Sequence, residues 1–295
     1  MAMAKQSSRI RAETRQFHAQ MMAAVSGSLD GRLERIFELV PREAFLGPGP
    51  WQICVPSGNG RSHRRYIQTP SADPVHINQN VLVALDATKG IHNGEPFLHA
   101  AWIGSANPAG GEIVSHIGAG TGYYTAILSM LTLPNGHVHA FELDETLARL
   151  AQQNLTPFEG VSVTQGDATV LPLPPSDLIY VNAGVAVPPV SWLCALRPGG
   201  RLIFPWRPTE NVAFAVLVTK TSEGLAVQPL RPAWFIPCVG ASDVGEAQKL
   251  PSLPEARSIR SLWLKQDREP DETAVAIFSE VWFSSQTISQ MAAAA

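Results

Sequence analysis

"VSHIGAGTGYY" (residues 114–124) places glycine at Gly118, Gly120 and Gly122, directly after a short apolar run and directly before "YYTAILSML". The run has strand length and the following stretch has helical periodicity, so the glycines turn a strand into a helix. In an open α/β sheet such a turn is where ligands bind, because backbone without Cβ atoms lets a ligand come close. Outward from it, residues 112–218 alternate strand-length apolar runs with helical patterns: "EIVSHI", "YYTAILSML", "HVHAFE", "ETLARLAQQNL", "VSVTQ", "DLIYVN", "VSWLCAL" and "RLIFP". The alternation predicts an α/β fold with a Rossmann-like, doubly wound, mostly parallel sheet and helices on both faces. "NVAFAVLVTK" and "LAVQPL", flanking the turn "TSEG", predict a C-terminal antiparallel hairpin that closes it.

The flanks read differently. From about Ser8 to Leu46 the pattern is helical, with Leu33, Ile36, Phe37 and Val40 at helix spacing and Pro41 as the stop, which predicts a helical N-terminal cap. Residues 47–75 are rich in Gly, Pro and Ser and read as a loop with room for a short ribbon. Its Arg61, His63, Arg64 and Arg65 could attract an acidic substrate, but a solvated loop face is the plainer reading. A helix is expected from Gln79 to Asp86, then a Gly-rich insertion over 89–111 with one more helix. In residues 245–295 the alternation of Val275, Ile277, Val281 and Phe283 predicts strands packed on the main domain. The division expected is therefore 1–78, 79–244 and 245–295.

Composition excludes several classes. The 295 residues are 45% hydrophobic and 16% charged, which describes a globular chain with a sizeable core. A net charge of −3 supplies no pull toward phosphate backbones, so no nucleic-acid partner is expected. Cys54, Cys194 and Cys238 are scattered and odd in number, which fits a reducing cytoplasm better than a disulfide framework or a zinc site. No membrane association is expected, since the N-terminus lacks the apolar core of a secretory signal and no apolar run reaches spanning length. His137 and His139 share one strand face, but no third ligand accompanies them, and no metal is expected. Oligomeric state is not legible.

The loop itself is G-x-G-x-G. A dinucleotide fingerprint would place its third glycine where Tyr123 stands, and no P-loop is present. Glu142 ends the next strand, where an acidic side chain takes ribose hydroxyls in nucleotide sites. Asp167 ends the third, placed to accept from an adenine amino group. Either carboxylate alone is ordinarily a cap or loop anchor. Three such features in register with a βαβαβ pattern point to a nucleoside-containing ligand.

These residues carry a resemblance. The chain resembles the class I S-adenosylmethionine-dependent methyltransferases and, more narrowly, is similar to the protein-L-isoaspartate O-methyltransferase family. The matching stretches are "LVPREAF" (39–45), "IGAGTGYYTAIL" (117–128), "FELDETLARLAQQNL" (141–155), "GDA" (166–168), "DLIYVNAGVAVPPVSWLCALRPGGRLIFP" (177–205) and "WFIPC" (234–238). The glycine loop is generic to methyltransferases, whereas "VPREAF" and the long stretch followed by "FIP" are more specific. The resemblance implies that Gly118, Ala119, Gly120 and Gly122 hold the methionine portion of S-adenosylmethionine, Glu142 the ribose, and Asp167 with Ala168 the adenine. His116 stands where such enzymes usually carry an acid, and its neutral imidazole can still accept one hydrogen bond toward the cofactor. Asn78 stands where the family's "ISxP"-like substrate loop carries serine, and Asn80 where it carries proline. Asn78 and Asn182 are the candidates for contacting the acceptor, Asn78 being equally readable as a turn or helix N-cap residue and Asn182 as a turn residue.

The activity implied is methylation of a carboxylate, foremost an L-isoaspartyl residue of damaged protein or peptide, primed thereby for succinimide formation and repair. A carboxylate needs no general base, which accounts for the absence of a catalytic triad. The alternatives are the same cofactor with a different small-molecule or peptide acceptor, a non-catalytic module that keeps the fold, and a nicotinamide oxidoreductase, which Tyr123 disfavours.

Overall fold

The computed structural model describes residues 2–55 and 65–293. Helix α1 (Ala2–Ser26) ends at Gly27, whose φ of +63° the following chain requires, and α2 (Leu33–Leu39) buries Leu33, Ile36 and Phe37 before a 3₁₀ turn at Arg42–Phe45. The expected helical cap is therefore two helices and a turn. Strands β1 (Gln52–Val55), β2 (Arg65–Gln68), β3 (Leu82–Asp86) and β4 (Ile91–His92) form a small antiparallel sheet in the order β2-β1-β3-β4. The ribbon expected in the 47–75 loop is β1 with β2. Of its basic cluster, Arg61, His63 and Arg64 lie outside the described residues, while Arg65 is exposed at the start of β2.

The helix expected over Gln79–Asp86 is not formed: Leu82–Asp86 is a strand. Eight residues with β-branched Val81 and Val83 make a marginal helix on their own, whereas β1 offers a ladder pairing Ile53 with Val83 and Cys54 with Leu82. The inserted helix is present as α3 (Pro96–Ala106), ended by Asn107 in the left-handed conformation.

The large sheet grows from β5 (Ile113–Ile117), which α4 (Tyr123–Thr132) follows across the glycine turn. Then come β6 (His137–Glu142), α5 (Glu145–Asn154), β7 (Val161–Gln165), β8 (Ser176–Val181), α6 (Val190–Ala195), β9 (Leu196–Thr209), β10 (Val212–Lys220) and β11 (Leu225–Pro232). Beyond the hairpin of β10 and β11, the C-terminal stretch adds β12 (Ser261–Leu264), β13 (Ala274–Ile277) and β14 (Val281–Ser284). The sheet has ten strands in the order β13-β14-β12-β11-β10-β9-β8-β5-β6-β7. β8 pairs in parallel with both β5 and β9, and every pairing from β9 out to β13 is antiparallel. The antiparallel part is thus larger than the hairpin expected, because the last strands extend the sheet.

Two compact units result: one of the chain up to Gly111 with Ala119–Val138 and Asp144–Val163, the other of Glu112–Gly118, His139–Leu143 and everything from Thr164 onward. The second has a continuous apolar core that includes Ile179, Trp192, Phe204, Trp206 and Phe283. Strands buried on both faces explain why these stretches read as unbroken apolar runs.

Candidate active site

Within the second unit, the carboxyl ends of the strands are laced together by backbone hydrogen bonds. Asn182 N–H donates to Ile117 O (2.8 Å), Gly118 N–H to Phe141 O (2.9 Å) and Gly166 N–H to Glu142 O (2.9 Å). β5 neighbours β6 on one side and β8 on the other, so chain direction through the sheet reverses beside it, the position at which open α/β sheets bind ligands.

Three glycines of the loop have φ in the left-handed region: +75° at Gly118, +59° at Gly120 and +96° at Gly122. At Gly122 a Cβ would also lie 2.8 Å from the Leu155 side chain. Thr121 fixes the loop from the other side, donating from Oγ1 to Phe45 O (2.6 Å), while Asn154 Nδ2 donates to Thr121 O (3.0 Å). Phe45 closes the "VPREAF" stretch, which thereby supports the loop.

His116 is fully buried, and burial lowers its pKa to about 3, so the imidazole is neutral. Its Nε2 lies 2.8 Å from Asn182 Nδ2; a neutral ring nitrogen accepts there from the amide. Asn182 Oδ1 is left buried without a hydrogen-bond partner, and an added Cβ at Gly118 would stand 3.5 Å from Asn182. An orphaned acceptor beside bare glycine backbone is open to a donor from outside the chain. The ammonium group of S-adenosylmethionine is such a donor, so the residues fit that cofactor, in a role for Asn182 different from the acceptor contact expected of it.

Glu142 ends β6 and is 8% exposed. Asp167 Oδ1 accepts from Thr169 N–H and from Thr169 Oγ1, both at 2.8 Å, in a local turn. Ala168 is buried and its carbonyl takes Trp192 Nε1 (2.9 Å); Ala119 is buried too. Cys238 belongs to the same neighbourhood, its thiol pushed up to about 12 by burial and then by Asp167.

Asn78 lies in the first unit. It is 7% exposed, follows the 3₁₀ turn Pro74–His76, and its N–H donates to Pro74 O (2.9 Å). With β3 in place of a helix there is nothing after it to cap. Its Nδ2 is buried without a partner, an orphaned donor. Asn80 is exposed and bridges the segment to α3, donating to Glu95 Oε1 (2.6 Å) and accepting from Phe97 N–H (2.9 Å).

Two features escaped the sequence reading. Asp144 caps α5 through Oδ1 and takes Lys89 Nζ on Oδ2 (2.6 Å); an Asp before "ETLARLAQQNL" was the available signal. Arg42 was seen only as part of a motif. Among the described residues, no cluster of three or more His, Cys, Asp or Glu could hold a metal, and no helix is long and apolar enough to cross a membrane.

The topology, the glycine turn and the carboxylate-tipped strands define a Rossmann-like methyltransferase of class I. Comparison with known proteins narrows the class. A family model for protein-L-isoaspartate(D-aspartate) O-methyltransferase matches residues 72–243. A protein-L-isoaspartate O-methyltransferase of Ignicoccus hospitalis is 30% identical over 204 residues, which are 68% of this chain and 85% of that protein. Among solved structures, a protein-L-isoaspartate O-methyltransferase superposes with a TM-score of 0.65 over 91% of this chain and 86% of its own, at 18% identity. A Plasmodium falciparum beta-aspartate methyltransferase in complex with S-adenosyl-L-homocysteine gives 0.56 over 76% and 97%, at 15% identity. The chain belongs to the protein-L-isoaspartate(D-aspartate) O-methyltransferase family, whose methyl donor is S-adenosylmethionine.

Proposed function

We propose that the chain methylates the free carboxylate of L-isoaspartyl residues in damaged proteins or peptides, in a reducing cytoplasm. The observation that carries this reading is the buried, unpartnered Nδ2 of Asn78. A buried donor left unmade is costly, and an arriving carboxylate oxygen would satisfy it.

When bound, the cofactor supplies an electrophilic methyl group on a sulfonium. The chain's own contribution is placement. Gly118, Ala119, Gly120 and Gly122 would line the methionine portion with backbone, Glu142 would accept from the ribose hydroxyls, and Asp167 with Ala168 would meet the adenine. His116 holds the Asn182 amide so that Oδ1 is the atom offered to the ammonium group. An acceptor carboxylate is ionised at pH 7, so no side chain has to remove a proton before attack. Holding donor and acceptor in line and excluding water is then the whole task.

Steady-state methylation of an isoaspartyl peptide tests the role of Asn78. Asn78→Ala removes one hydrogen bond to a charged group, so peptide KM should rise about tenfold or more while affinity for S-adenosylhomocysteine stays unchanged. An unaltered KM would remove Asn78 from the acceptor site.

A further inference from the structure

Arg42 is 1% exposed, and no carboxylate is among its hydrogen-bond partners. Its Nη1 donates to Ile77 O (3.0 Å) and its Nη2 to Val81 O (2.9 Å), carbonyls that bracket the residues from Asn78 to Asn80. The remaining bonds go to Asn93 Oδ1 from Nε (2.9 Å) and to Gly94 O from Nη2 (3.0 Å). Those two residues immediately precede Glu95 and α3, which hold Asn80. One guanidinium therefore grips both ends of the segment carrying Asn78 and the base that this segment is tied to.

A buried guanidinium held only by neutral acceptors is an expensive way to stabilise a core, and an apolar side chain of similar volume would serve packing better. What the guanidinium provides is a planar fork with donors at fixed angles, which a lysine ammonium does not reproduce. It also places behind the loop a positive charge with no carboxylate hydrogen-bonded to it. We propose that Arg42 is a positioning residue for the acceptor: by fixing the Ile77 and Val81 carbonyls it aims the orphaned Asn78 amide at the incoming carboxylate and lends that spot positive potential. The inference rests on the reading that Asn78 receives the acceptor. All of Arg42's hydrogen bonds are spent within the chain, so it acts through the loop.

The test is a double-mutant cycle of Arg42→Lys with Asn78→Ala, read as KM and kcat for an isoaspartyl peptide. S-adenosylhomocysteine affinity by calorimetry and the thermal melt are recorded alongside. Arg42→Lys should raise peptide KM at least about tenfold, leave inhibitor affinity within about twofold, and add less than about twofold once Asn78 is already alanine. Asn80→Ala, at an exposed position where folding is not at stake, should raise KM severalfold through the same segment. An Arg42→Lys effect of equal size in both backgrounds would make the residue merely structural and overturn the proposal. If Arg42→Lys does not melt cooperatively, Asn80→Ala decides alone, and an unmoved KM there overturns it. Failure of the unsubstituted enzyme to methylate the peptide would overturn the functional reading and this inference together; a raised KM in Asn78→Ala with an unmoved KM in Arg42→Lys overturns this inference only.

Discussion

His116 is packed edge-on to Tyr180, with ring centroids 5.5 Å apart, and its burial has a consequence for acid stability. Its pKa falls to about 3 in the folded protein from an ordinary 6.5, and that of His18 falls to about 4 for the same reason, reinforced by Arg42. The unfolded chain therefore binds more protons between these values, so the stability each neutral ring provides is complete above pH 6.5 and drains away as the pH falls toward 3. Urea denaturation should show a loss of about 2 kcal/mol per buried histidine between neutrality and about pH 5. His116→Asn should lose correspondingly less; identical acid sensitivity in variant and parent would show that this ring is not held neutral. The sequence marked His116 as an oddity, but its partner lies 66 residues away and meets it only through the β5–β8 pairing. No local pattern encodes that amide-imidazole contact.

At the scale of elements, the glycine turn was legible because its requirement is local: a strand ends, φ becomes positive, and a helix begins. That makes its energetics predictable. Gly199→Ala places a methyl group in open space at φ +78°, so it should cost only the backbone strain, about 1 kcal/mol. Gly122→Ala adds a 2.8 Å clash with Leu155 to φ +96° and should cost about 2–3 kcal/mol, measured as a shift in denaturation midpoint. Equal costs would contradict the packing of Leu155 against the loop. The segment from Gln79 to Asp86 was misread for the converse reason. Its apolar residues fit either period over so short a length, and the decision is made by β1 and by the Arg42 bonds to Ile77 and Val81, which come from distant parts of the chain.

Across the whole molecule, the parallel part of the large sheet could be read from alternating runs because buried parallel strands declare themselves in composition. The C-terminal strands were legible as strands, but their place was not: the pairing of β11 with β12, Leu225 with Leu262 and Ala226 with Ser261, shows that they continue the sheet past the hairpin. The segment around Asn78 shows the same limit, since Asn78 was identifiable by position while its unpartnered amide and the guanidinium behind it emerge only on folding. Family membership carries the reaction, and the glycine turn and the orphaned Asn78 amide support the residue roles proposed for it. The most direct measurement is methyl transfer from S-adenosylmethionine to an isoaspartyl peptide and to its normal aspartyl twin, with the product ester located by mass spectrometry. The account predicts esterification of the isoaspartyl peptide alone. Cofactor binding without transfer to that peptide, or equal transfer to both, would contradict it.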